Sequence, residues 1–114
     1  YKFAVNATAS SAATAMARAG WSPEELDLFI PHQANVRIIK AAARRLHLST
    51  DQVFINADRY GNTSSASIPI ALCEALEQGR VSPGDRLVLV GFGAGLSWAA
   101  VALEWTMTVP TAAE

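Results

Sequence analysis

Apolar residues recur at Val5, Ala9, Ala12 and Met16, at spacings of four, three and four that put them on one face of a helix. Gly20 follows where a helix C-cap belongs. Ser22-Pro23-Glu24-Glu25 offers an N-cap, a proline at the first helical position and a glutamate three residues after the cap, the pattern of a capping box opening a short turn. Leu28 to Ile30 is a predicted strand. Beyond Pro31-His32-Gln33-Ala34-Asn35, Ile39, Ala42, Ala43 and Leu46 line one side of a second helix, while Arg37, Lys40 and Arg44 fall within about a sixth of a turn of one another on the opposite side. Ser49 to Gln52 forms another capping-box pattern before a predicted strand, Val53 to Ile55, and the turn-rich stretch 56–67 reads as a loop. Ile68, Ala71, Leu72, Ala75 and Leu76 predict a third helix over about Ala66 to Gln78, with Pro69 in its first turn and Gly79 as its stop. Two closing strands, Arg86 to Val90 and Ser97 to Trp105, are joined through Gly91-Phe92-Gly93-Ala94-Gly95, read as a bend, and the tail 106–114 has no period.

The order αβαβαββ predicts an α/β fold, with parallel strands flanked by helices and an antiparallel pair at the end. Helices so rich in alanine are expected to pack closely against a second, similar structure, which makes the chain half of a larger architecture. It also opens without a methionine, already inside a helical pattern, so it is expected to be a fragment of a longer protein.

Composition narrows the class. At 114 residues, 51% apolar and 17% charged, the chain suits one soluble globular domain. A formal net charge of −1 gives no general reason to bind nucleic acid. The one cysteine, Cys73, excludes an internal disulfide and, lying mid-helix, is read as a small packing residue. No secretory signal stands in this stretch, so a cytoplasmic setting is expected. Leu87 to Leu103 is a charge-free run of 17 residues, near the lower limit for a bilayer span, but its three internal glycines favour two buried strands, and no membrane association is expected.

Chemistry gathers at the ends of predicted strands, where open α/β sheets collect ligand groups. His32 follows the first, Gly61-Asn62-Thr63-Ser64-Ser65-Ala66-Ser67 the second, and the glycine-rich bend the third. His32 taken alone is either a structural histidine bonded to backbone or a hydrogen-bond donor to substrate. If the strands are neighbours, His32 and Asn62 converge on one rim, and together they supply the donors that hold an enolate-like oxygen without a metal. Rival patterns fail: Leu96 stands where a dinucleotide fingerprint needs glycine, His32, His47 and Cys73 have no zinc-site spacing, and no nucleophile elbow is present. His47 is expected to complement the C-terminus of the basic helix. Arg37, Lys40 and Arg44, with Arg45 beside them, form either a solvated face or a docking surface for an acidic partner. No aromatic residue interleaves them, so nucleic acid is not expected.

Ile30 to Ile39, Arg59 to Pro69 and Gly91 to Ala100, in this order and spacing, resemble the C-terminal half of β-ketoacyl-acyl carrier protein synthase III, a condensing enzyme of the thiolase superfamily. The resemblance spans 1–105, leaving 106–114 as a tail. It implies half of a five-layered αβαβα fold, a homodimer, and decarboxylative Claisen condensation of an acyl-CoA primer with malonyl-acyl carrier protein to start type II fatty acid synthesis. It further implies that His32 and Asn62 belong to a Cys-His-Asn triad and stabilise the malonyl enolate. Phe92 would sit over the decarboxylating group, and the N–H of Ala94, where family members more often carry glycine, would complete an oxyanion hole. Ala34 and Asn35 would line the pantetheine and coenzyme A tunnel, and Arg37, Arg44 and Arg45 would grip acyl carrier protein, with Lys40 on the same face. Coenzyme A and phosphopantetheine thioesters are then substrates, with neither cofactor nor metal, and the triad cysteine belongs to an N-terminal half, so this chain alone is expected to be inactive. The alternatives are a homologue serving polyketide or secondary metabolism and a non-catalytic carrier-protein binding module. Pro31 and Gln33 have no role in this reading.

Overall fold

The computed structural model describes residues 2–60, 67–93 and 97–108. Helix α1 (Lys2–Ala19) is followed by a 3-10 turn at Pro23–Glu25, strand β1 (Leu28–Pro31), helix α2 (Val36–Arg45), a second 3-10 turn at Thr50–Gln52, a short helix α3 (Ala57–Tyr60), helix α4 (Ser67–Glu77) and strands β2 (Arg86–Gly93) and β3 (Ser97–Glu104). β1 runs parallel to β2, with Leu28 opposite Leu87 and Pro31 opposite Val90. β2 pairs antiparallel with β3, from Arg86 opposite Glu104 to Gly93 opposite Ser97.

Strand alternation divides the core in two. Phe29, Val88 and Val90 face α1 and α2, where they meet Ala9, Ala12, Met16, Ile39, Ala42, Ala43 and Leu46. Leu28, Ile30 and Leu87 face the other way, toward Ala71 and Ala75 of α4, with Phe54 and Val81 completing that layer. The spacing-derived helix faces are therefore the buried ones. A sheet covered on both sides accounts for the unbroken apolar run of β1, and full burial of a side chain such as Phe29 or Ile30 stabilises the fold by roughly 1.5–3 kcal/mol. The charge-free run from Leu87 to Leu103 is β2 folding back as β3.

Four expectations change. Val53 to Ile55 does not form a strand: it meets β1 through one parallel bridge, Phe29 to Val53, and through the Phe54 N–H donating to the Phe29 carbonyl at 3.0 Å. Pro31 has no N–H with which to extend that ladder, and side chains take the backbone groups on either edge of the segment. Arg80 Nη2 donates to the carbonyls of Asp51 (3.1 Å) and Val53 (3.3 Å), and Gln33 engages Phe54, Asn56 and Ala57. The stretch read as a loop contains α3. Gly91, Phe92 and Gly93 are not a bend but the last residues of β2, opposite Ala99, Trp98 and Ser97. Cys73 is exposed rather than packed, because Ala71 and Ala75 take the sheet-facing side of α4 and Cys73 lies about 200° around from Ala71.

Three helices end in the same way. The N–H groups of Gly20 and Trp21 return to Ala17 and Met16, those of Gly79 and Arg80 to Leu76 and Ala75, and those of His47 and Leu48 to Arg44 and Ala43. These are Schellman closures, whose pivotal residue adopts positive φ. Gly20 (77°) and Gly79 (72°) do so freely, while His47 (59°) holds the left-handed conformation as an L-residue. His47 thus closes the C-terminus of α2 through its backbone.

Candidate active site

His32 lies one residue past β1, and its backbone N–H donates to the Val90 carbonyl at 2.7 Å, continuing the β1–β2 ladder. The Val53 bridge puts the following segment on the other side of β1. The segment leading toward Asn62, the end of β1 and the end of β2 are thus neighbours, the arrangement on which convergence at one rim depends. Burial pushes the His32 imidazole below its ordinary value of 6.5. At neutral pH the ring is therefore uncharged, with one nitrogen donating and the other accepting.

The next residue, Gln33, is 1% exposed. Its Nε2 donates to the carbonyls of Pro31 (2.8 Å) and Phe54 (3.1 Å), and its Oε1 accepts from the N–H groups of Asn56 (2.8 Å) and Ala57 (3.2 Å). Its own N–H donates to Ser67 Oγ, at the first residue of α4, at 2.6 Å. Asn35 caps α2, its Oδ1 accepting from the Arg37 N–H at 2.8 Å. That oxygen is engaged in the cap, while Ala34 stands half-buried before it.

On α2, Arg37, Lys40, Arg44 and Arg45 are exposed. Arg45 lies about 80° around the helix from Arg37, far enough for its Nη1 to hydrogen-bond Asn6 Oδ1 on α1. Lys40 and Arg44 border a hollow of about 330 Å³ whose apolar wall includes Ala43, Leu48, Val53 and Ile55. Phe92 belongs to β2. Asn62 and Ala94 lie outside the described residues. Of the expected site, the structure therefore brings His32 to the neighbouring end of β2 and spreads the cations along the outer face of α2.

The sequence alone assigns no role to Gln33 and none to Ser67 by itself. The available signal was the position of Gln33 at the end of a fully apolar strand, where a buried amide needs four hydrogen-bond partners. Nothing local indicated where they would come from.

The family described as 3-oxoacyl-[acyl-carrier-protein (ACP)] synthase III C terminal matches residues 16–105. Over 106 residues the chain is 53% identical to a β-ketoacyl-[acyl-carrier-protein] synthase III of Roseiflexus sp. (strain RS-1), covering 93% of this chain and 32% of that protein. Among solved structures, the synthase III of Thermus thermophilus is 55% identical and superposes with a TM-score of 0.88, over 91% of this chain and 32% of that one. The priming β-ketosynthase of the R1128 polyketide pathway is 40% identical, with a TM-score of 0.86 over 92% of this chain and 32% of that one. The chain thus spans about a third of the length of its curated relatives, and the superposition assigns its layers to the C-terminal half of a thiolase-like fold. This chain belongs to the 3-oxoacyl-[acyl-carrier-protein] synthase III family, of which it carries the C-terminal domain.

Proposed function

We propose that this chain supplies the decarboxylation half of a condensing site whose nucleophilic cysteine lies in another part of the protein. A malonyl thioester on acyl carrier protein loses carbon dioxide, and the electron pair of the broken C–C bond moves into the thioester carbonyl. His32 and Asn62 donate hydrogen bonds to the resulting enolate oxygen, which strengthens them as charge develops. The α-carbon then attacks the acyl-cysteine thioester, forming a C–C bond and releasing the thiolate. An acyl-CoA primer loads that cysteine, and no cofactor takes part.

One observation carries this reading: a neutral histidine, held by backbone hydrogen bonding at the end of a parallel strand, beside the end of its neighbour. The exposed cations of α2 support acyl carrier protein, an acidic partner, as the carrier of the malonyl group. Trp98 (43% exposed) and Val101 (51%), on opposite faces of the edge strand β3, with Phe3 (51%) edge-on to Trp98 at 5.3 Å, support a further part of the protein, or the second subunit of a homodimer, covering that edge. The identity to a polyketide priming enzyme keeps a second pathway in view with the same chemistry.

The test is carbon dioxide release from malonyl-acyl carrier protein by the full-length protein and its His32→Ala variant. The expected loss is on the order of 10²–10³-fold, with cysteine acylation by acyl-CoA retained. Unchanged carbon dioxide release removes the role given to His32.

A further inference from the structure

Gln33 takes no part in the chemistry above, yet among the described residues it is the most completely engaged polar side chain at the rim. A primary amide has two N–H donors and two acceptor lone pairs. All four are used, on the carbonyls of Pro31 and Phe54 and the N–H groups of Asn56 and Ala57. With its backbone N–H on Ser67 Oγ, this one residue joins the end of β1, the segment 54–57 and the start of α4. The adjacent backbone N–H, that of His32, is bound to β2 through Val90. His32 therefore hangs on a backbone fixed from both sides.

Among the described residues, the amide of Gln33 is the side chain that meets these backbone groups. Phe54 and Asn56 are each 1% exposed, and Asn56 Nδ2 is itself buried without a hydrogen-bond partner, so water does not reach this segment to take the place of a lost acceptor. The segment 54–57 meets β1 through a single bridge, so beyond residue 53 the amide stands in for the missing ladder. In sequence, α3 then runs to Tyr60, two residues before Asn62.

We propose that Gln33 is the positioning residue for His32: its buried amide fixes the 31–33 backbone against 54–57 and α4, so that the imidazole is presented where the enolate oxygen forms. This rests on the role proposed for His32, and Gln33 touches no substrate.

The experiment uses the full-length protein and measures two half-reactions separately, carbon dioxide release from malonyl-acyl carrier protein and acylation of the cysteine by acyl-CoA. Gln33→Met, similar in shape but without donors or acceptors, is expected to lower decarboxylation at least tenfold, with acylation and the KM for malonyl thioester within about twofold. Gln33→Glu keeps the shape but, ionised, faces two carbonyls without a donor. Its decarboxylation is expected to rise relative to wild type as the pH is lowered and the carboxyl regains an O–H. Parallel loss of both half-reactions in Gln33→Met marks a merely structural residue and overturns the proposal. If Gln33→Met does not fold, a pH profile of Gln33→Glu that parallels wild type overturns it equally. His32→Ala is the control. Lost decarboxylation there with an unaffected Gln33→Met sinks the positioning role alone, whereas intact decarboxylation in His32→Ala sinks the underlying reading together with it.

Discussion

The two ends of the sheet are held together by different means. Where β1 begins, short-range motifs close the structure: Ser22 donates through its N–H (2.9 Å) and Oγ (3.0 Å) to Glu25, and the Ser49 N–H donates to Gln52 at 2.9 Å. Gln52 then ties the turns together, donating to the carbonyls of Pro23 and Leu26, both at 2.7 Å. Arg86 pairs with Glu25 at 2.8 Å, and its N–H meets Asp27 Oδ2 at 2.8 Å. These groups are largely exposed, and each loss is shared among neighbours. Where β1 ends, one buried amide and one serine hydroxyl span 21 to 34 residues of sequence, and among the described residues they alone make these bonds. The first end is redundant and built for stability. The second is singular, and there His32 stands.

If that contrast holds, equal hydrogen-bond losses at the two ends have unequal consequences. Ser67→Ala leaves the buried Gln33 N–H without a partner, a loss of about 1–3 kcal/mol. It is expected to lower both the denaturation midpoint and carbon dioxide release per folded molecule. Gln52→Ala removes a cap and two further hydrogen bonds, about 1–2 kcal/mol, and chemical denaturation should register it while release per folded molecule stays unchanged. Lost activity in Gln52→Ala would erase the distinction between the ends. His47→Gly relieves a left-handed L-residue at the C-terminus of α2. Differential scanning calorimetry should show a gain of up to about 1 kcal/mol, again without a change in activity.

The ends also differ in their response to acid. Hydrogen bonds from the Ser22 backbone, the Ser22 hydroxyl and Arg86 hold the Glu25 carboxyl below its usual value of 4.5, against a small opposing effect of burial. A depressed carboxylate contributes stability above its unfolded value that is lost as the pH falls through the folded one, so Glu25→Gln should differ from wild type at neutral pH and converge with it well below pH 4.5. At the rim, burial favours neutral His32. The unfolded chain then binds more protons, and stability declines as the pH falls below 6.5 toward the lower folded value. His32→Ala should remove that shallow upper limb and leave the lower one, as stability measured against pH would show.

Much of the first end was legible in the sequence because its interactions are three residues apart: Ser22 with Glu25 and Ser49 with Gln52 were both readable as capping boxes. The buried faces of the helices followed from a period of 3.6 for the same reason. Val53 to Ile55 misled because its apolar, β-branched and aromatic residues look like a strand, while the side chains that take over its backbone groups, Gln33 and Arg80, lie 20 or more residues away. His32 was legible as a candidate from its place after a strand. What fixes it there was not, since an amide side chain carries no sign of which distant carbonyls it will find. The glycine-rich stretch misled for another reason: Gly91 serves close packing and carries no turn.

A Cβ at Gly91 would lie 3.2 Å from Ile68 Cδ1, tighter than ordinary contact. Ile68 directly follows Ser67, whose hydroxyl holds the Gln33 N–H. Gly91 therefore acts as the clearance in a mechanical joint. A methyl group there asks only a small turn of the Ile68 terminus, whereas a bulkier side chain is expected to press on the first turn of α4 and so loosen residue 33, an enlargement on β2 felt as a displaced imidazole on β1.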